Sequence, residues 1–106
     1  MAGDRDKRPN TGTILKERPK TKRPKLFKVL FHNDDYTTME FVVHILKKFF
    51  EKDRTEATRI MLQIHHQGIG LVGIYPFDVA ETRLKNASDY AHANEYPLLI
   101  TMEPEE

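Results

Sequence analysis

The spacing of apolar residues changes once, and abruptly, inside the stretch Leu26 to Phe50, LFKVLFHNDDYTTMEFVVHILKKFF. Up to His32 the run is short and rich in apolar residues, with Val29 and two phenylalanines, bounded by Pro24 before it and by Asn33-Asp34-Asp35 after it, which is the signature of a strand. From Thr37 onward Val42, Ile45, Leu46 and Phe49 recur at helical spacing, with Met39, Val43 and Phe50 widening the stripe. A strand and an amphipathic helix joined by so short an acidic turn must bury their apolar faces on a common core. The turn side chains are then held at one place on the surface, where loops fixed by rigid neighbours carry function.

The remaining elements follow from start and stop signals. Thr37 or Thr38 is placed to cap the first helix, and Thr37 with Glu40 matches a capping box, in which each side chain satisfies a backbone donor that the helix start leaves free. Asp53 with Glu56 repeats that pattern. Ala57, Ile60, Met61 and Ile64 then fall at i, i+3, i+4 and i+7 until Gly68 offers a left-handed stop. Gly70 to Tyr75 reads as a strand, Asp78 to about Ala93 as a helix through Ala80, Leu84, Ala87 and Ala91, and Pro97 to Glu103 as a last strand. The order β-α-α-β-α-β, without an internal repeat, predicts an α+β fold: a small, largely antiparallel three-stranded sheet packed against three helices.

Charge is distributed unevenly along the 106 residues. Residues 1 to 25 hold 9 Lys/Arg against 3 Asp/Glu, a net of +6, and the other 81 hold 8 against 13, a net of −5. The basic segment contains Pro9, Pro19 and Pro24, has no periodicity, and offers only Ile14 and Leu15 for burial, so a disordered tail is expected over 1 to 25 and a folded domain over 26 to 106. The domain's own acidity disfavours nucleic acid, leaving the tail as the one part suited to a polyanion or an acidic protein surface. The chain has no cysteine, which excludes disulfides, thiol catalysis and cysteine-based zinc sites. No apolar run is long enough to span a bilayer and the start is polar, so neither anchor nor signal peptide is visible and the cytosol is the expected compartment.

Asn33, Asp34, Asp35 and a histidine from the pair His65-His66 form a polar cluster if the first two helices lie side by side. Three readings compete for it. Asn-Asp-Asp is an ordinary turn sequence whose side chains bond the local backbone. As a metal site it lacks any established ligand spacing, and its carboxylates are consecutive rather than on one helical face. As an enzyme site, acids beside a histidine suit proton transfer, yet no nucleophile elbow, phosphate loop or cofactor fingerprint accompanies them. What the cluster does offer is acceptors, which suit a cation with several N–H donors such as an α-ammonium group. Met39, Val42, Met61 and Ile64 stand beside it. Residues of this kind usually form only core, but methionine also serves in adaptable binding surfaces, and acceptors beside an apolar hole fit an amine carried on a bulky hydrophobic side chain. His65 follows the apolar stripe of the second helix and can turn toward the corner, His66 points about a hundred degrees away, and His32, His44 and His92 are scattered.

The run Asn33 to Val42 (NDDYTTMEFV), His65 with Gln67-Gly68, the stretch Val79-Ala80-Glu81-Thr82 and the ending Tyr96-Pro97-Leu98-Leu99 together resemble the ClpS family, bacterial adaptors that select N-degron substrates for the Clp protease. The resemblance spans roughly residues 26 to 103. It implies a protein that is not an enzyme, needs no cofactor or metal, and binds substrates whose first residue is Leu, Phe, Tyr or Trp for delivery to the Clp AAA+ unfoldase. It further implies that Asn33, Asp35 and His65 accept hydrogen bonds from the substrate's α-amine. Thr37, Met39, Val42, Met61, Ile64 and Leu98 would line the side-chain pocket, with Met39 as the gate against β-branched residues. Asp78, Glu81 and Arg83 would dock on the unfoldase's N-terminal domain.

Two positions depart from the family pattern. Thr38 stands where proline is common, from which a looser helix start is expected, and His66 stands where an aromatic residue is frequent. A different class of function, a small nucleic-acid-associated protein binding through its basic tail, is the alternative; a metal-dependent hydrolase is a third.

Overall fold

The computed structural model describes residues 25–106. The expected disordered tail lies outside them except for Lys25. The elements run β1 (Leu26–His32), α1 (Met39–Phe50), α2 (Arg54–Gln67), β2 (Ile69–Pro76), α3 (Phe77–Ala93) and β3 (Leu99–Pro104), in the expected order. The sheet order is β2-β1-β3, and both pairings are antiparallel. The central strand is thus the one that leads into the acidic turn.

Strand alternation separates the two faces of the sheet. Val29 and Phe31 of β1, Val72 of β2 and Ile100 of β3 are buried against the helices, whereas Leu26, Ile69, Leu71, Ile74 and Leu99 are exposed. From the helices, Ile45, Leu46, Ile60 and three alanines of α3, Ala80, Ala87 and Ala91, complete the core. The alanines let α3 lie close to its neighbours. Phe31 and Phe50 meet edge to face with ring centroids 5.5 Å apart, pinning α1 to the central strand.

Local geometry corrects several sequence-based expectations. The capping residue of α1 is Thr38, whose hydroxyl accepts from the Phe41 N–H at 3.1 Å; the box of Thr37 with Glu40 does not form, because the Thr37 hydroxyl is committed to Asp34. Thr38 therefore fastens the helix start that it was expected to loosen. Asp53 caps α2 as anticipated, accepting from the Glu56 N–H at 2.8 Å, while the Glu56 carboxylate turns to Arg59 instead of completing the box. Gly68 ends α2 at φ 86°, with its N–H on the Ile64 carbonyl. The last strand begins at Leu99, two residues later than Pro97. The ladder to β1 ends where His32 pairs with Leu99, and Leu98 turns into the core.

Candidate functional site

One backbone hydrogen bond assembles the corner: the Asn33 N–H donates to the Gly68 carbonyl at 2.9 Å. It joins the end of β1 to the end of α2, bringing His65, one turn before Gly68, beside the acidic turn. The left-handed conformation of Gly68 makes this possible, since it ends α2 and points the carbonyl at the incoming strand.

Asp34 organises the turn. Its Oδ1 accepts from the N–H groups of Tyr36 (2.8 Å) and Thr37 (2.7 Å), and its Oδ2 accepts from the Thr37 hydroxyl (2.8 Å). Partial burial alone would raise the Asp34 pKa, but the bonds from the Thr37 N–H, the Thr37 hydroxyl and the Tyr36 N–H outweigh it and hold the carboxyl below its ordinary value of 3.8. A carboxyl whose folded pKa is depressed contributes stability that is fully present above its unfolded pKa and is lost as the pH falls through the folded one. Asp34→Asn should therefore cost about 1 kcal/mol at neutral pH, allowing for solvent screening, with the gap between variant and parent closing below about pH 4. Thermal unfolding of both proteins between pH 3 and 7 measures this; a pH-independent gap would exclude Asp34 ionisation as its source.

With Asp34 occupied, Asn33, Asp35 and His65 stand exposed, and their side chains form no hydrogen bond among the described residues. These three groups are open acceptors. The C-terminal end of α2, where backbone dipoles leave partial negative charge, adds to their preference for a cation, while the opposite polarity at the start of α1 is offset by the Thr38 cap and the Asp34 carboxylate.

Below the acceptors lies a cavity of about 330 Å³, lined by Asn33, Asp34, Asp35, Thr37, Thr38, Met39, Val42, Met61, Ile64 and His65. Its size sits at the lower end for ligand sites and fits a single side chain better than a large molecule. Val42 and Ile64 are buried, Met61 is half-buried, and Met39 is 42% exposed at the rim. Of the expected pocket residues, Leu98 is not on this wall; it is 2% exposed within the core cluster. Asp34, expected in the polar cluster, and Thr38, expected as a helix cap, line the cavity as well. The spacing of Asp34 from Thr37, an acid three residues before a hydroxyl at a helix start, is the sequence signal that marks Asp34 as the organiser of this turn.

The three expected docking residues all belong to α3. Asp78 and Arg83 share a shallow concavity of about 260 Å³ with Val79 and Thr82, whereas Glu81 lies outside its wall. Arg83 is tied back to the domain, with Nη2 3.6 Å from Glu51 Oε1 and its guanidinium 5.1 Å from the centroid of the Tyr75 ring. Among the described residues no group of three His, Cys, Asp or Glu side chains could hold a metal ion, and no helix is long and apolar enough to cross a membrane.

Residues 22–101 match the family model described as ATP-dependent Clp protease adaptor protein ClpS. Among curated relatives, the ATP-dependent Clp protease adapter protein ClpS of Parvibaculum lavamentivorans is 53% identical over 103 residues, covering 97% of this chain and 94% of that protein. The ClpS of Rhodospirillum centenum is 51% identical over 98 residues, covering 92% and 91%. Among solved structures, Agrobacterium tumefaciens ClpS2 bound to L-phenylalaninamide superposes with a TM-score of 0.76 at 42% identity, covering 78% of this chain and all of that one.

Proposed function

The chain belongs to the ClpS family of Clp protease adaptors, and on that premise we propose that it binds proteins through a free N-terminal Leu, Phe, Tyr or Trp and delivers them to the Clp AAA+ unfoldase. The observation that carries this reading is the division of one cavity into a rim of open acceptors, Asn33, Asp35 and His65, and a wall of Met39, Val42, Met61 and Ile64. An α-ammonium with its donors matches the rim, and a bulky apolar side chain matches the wall. L-phenylalaninamide, the ligand of the A. tumefaciens relative, combines those two groups. The work is selection and handover, done in the cytoplasm, and asks for no catalytic group. The nucleic-acid alternative gains no support from the family match.

A panel of peptides that differ only in their first residue tests the reading. Leu, Phe, Tyr and Trp should bind, with burial of the side chain contributing about 1.5 to 3 kcal/mol, and Ala should not. Ile and Val branch at Cβ and would meet Met39 at the rim, so Met39→Ala should admit them. Equal binding of all first residues would end the proposal, and unchanged rejection of Ile and Val by Met39→Ala would reduce Met39 to an ordinary wall residue.

Delivery divides between the two ends of the charge distribution. We assign docking on the unfoldase's N-terminal domain to Asp78, Glu81 and Arg83, and a separate part in handover to the basic segment over residues 1 to 25, which has net charge +6 and includes none of the residues expected from the sequence to form the site. Removing residues 1 to 20 should leave peptide affinity nearly unchanged, since charges more than a Debye length of ~8 Å from the cavity are screened. Degradation of a tagged substrate by the Clp protease should slow sharply. Both quantities are read on the same truncated protein, and unchanged degradation or a joint loss of both would refute the division.

A further inference from the structure

A second, larger concavity of about 440 Å³ adjoins the site and shares two of its side chains, Met39 and Met61. Four of its six other lining residues descend the two helices in step: Val43 and Lys47 follow Met39 at four-residue intervals on α1, and Thr58 and Arg54 precede Met61 on α2; the other two are Glu40 and His44. Because α1 and α2 are joined by the short turn at residues 51–53, these rows face each other. The result is a groove that runs from the mouth of the cavity toward the α1–α2 turn, with Met39, Val43 and Met61 beside Glu40 and His44 at its upper end and Lys47 and Arg54 at its lower end.

Resting on the reading above, we infer that this groove receives the substrate segment that follows the first residue, and that Lys47 and Arg54 select acidic side chains at about positions four and five of the substrate, counted from its first residue. A substrate protein does not end at its first residue, so its chain must leave the mouth across the rim, where exposed Met39 is common to both concavities. The eight residues from Met39 to Lys47 span ~12 Å at ~1.5 Å per helical residue. An extended peptide covers that distance in about four residues at ~3.3 Å each. Lys47 and Arg54 are exposed, and neither is in an ion pair among the described residues. Of the two carboxylates in the turn, Glu51 is engaged by Arg83 and Asp53, directly before Arg54, accepts from the Glu56 N–H as the cap of α2. At the mouth the sign is reversed, with Asp35 and Glu40 exposed, so an acidic residue directly after the first one meets repulsion. The groove therefore sorts substrates by the position of their negative charge.

The test is a peptide series with Leu first and an otherwise neutral sequence, in which an Asp-Asp pair is moved from positions 2–3 to positions 7–8 and binding is followed by fluorescence anisotropy. Affinity should pass through a maximum with the pair near positions 4–5, about three- to tenfold above the neutral peptide for two exposed ion pairs, and the maximum should flatten in high salt. In the double variant Lys47→Glu, Arg54→Glu the same positions should prefer a Lys-Lys pair. The milder Lys47→Gln, Arg54→Gln pair should abolish the maximum while binding the neutral Leu peptide as the parent does. An affinity profile that is flat along the series, or a maximum that both sets of variants retain, overturns the inference while leaving the first-residue reading intact. Failure of the neutral Leu peptide to bind the parent protein would instead overturn the first-residue reading itself.

Discussion

Acetylating the α-amine of a Leu- or Phe-led peptide should lower its affinity by at least tenfold. The amide that results has no charge and one N–H where the ammonium had three, and the added carbonyl oxygen would face the Asp35 carboxylate. Asn33, Asp35 and His65 have no other partner among the described residues, so nothing in the site replaces the lost donors. A hydrogen bond to a charged group is worth about 1.5 to 3 kcal/mol where water is excluded. Asp35 and His65 are exposed, which weakens each contact, so the expected loss is taken as that of a single such bond rather than of three. At about 1.4 kcal/mol per factor of ten this gives the stated minimum. Paired titrations of free and acetylated peptide decide it, and equal affinities would remove the rim from any part in recognition.

Gly70→Ala should both destabilise the protein and weaken peptide binding, although Gly70 does not line the cavity. A Cβ at this position would stand 2.6 Å from Ile64 Cγ1 and 3.4 Å from the Ile60 carbonyl oxygen, closer to Ile64 than packed atoms tolerate. Ile64 is β-branched, held by its helical backbone in one preferred rotamer, and 2% exposed, so it yields only if α2 shifts. Overpacking of this kind costs about 1 to 3 kcal/mol, and each kcal/mol lowers the Tm of a domain this size by roughly 4 to 8 °C. Because Ile64 lines the cavity and α2 also carries Met61 and His65, the same shift deforms the site. Thermal unfolding and peptide titration on one sample test the coupling: a Tm within a degree of the parent would refute the clash, and lower stability with intact affinity would show that the strain is absorbed away from the site.

Much of the site was legible in the sequence because its chemistry is local. The acidic turn, the cap at Asp53, the stop at Gly68 and the stripe from Ala57 to Ile64 each depend on residues within one or two helical turns, so the composition of a short window decides them. Helix phase places His65 beside Asn33 only if the first two helices are neighbours. The bond between Asn33 and Gly68 supplies the physical link, which no local pattern contains. Leu98 illustrates the reverse case. Its apolar character fits a pocket wall and a core position equally well, and only the three-dimensional packing places it in the core.

By itself, then, the sequence determined the element order, the antiparallel α+β class, the bounds of β1 and the set of polar groups at the corner, all of which follow from periodicity, caps and turn chemistry. The tertiary structure alone decided three further things. It placed a bulge in β2, where Val72 and Gly73 lie opposite Val29, so that Tyr75 rather than Ile74 turns toward the core beyond it; Gly73 permits this because the Tyr75 ring and hydroxyl occupy the space where its Cβ would stand. It closed α1 with Glu51 in the left-handed region at φ 58°, a residue type that carries no such signal, with the Glu51 carboxylate near Arg83. It also aligned α1 against α2 so that one face of the pair holds both the cavity and the groove. Each of these depends on contacts between residues distant in the chain, whose free energy arises only when both partners are already in place.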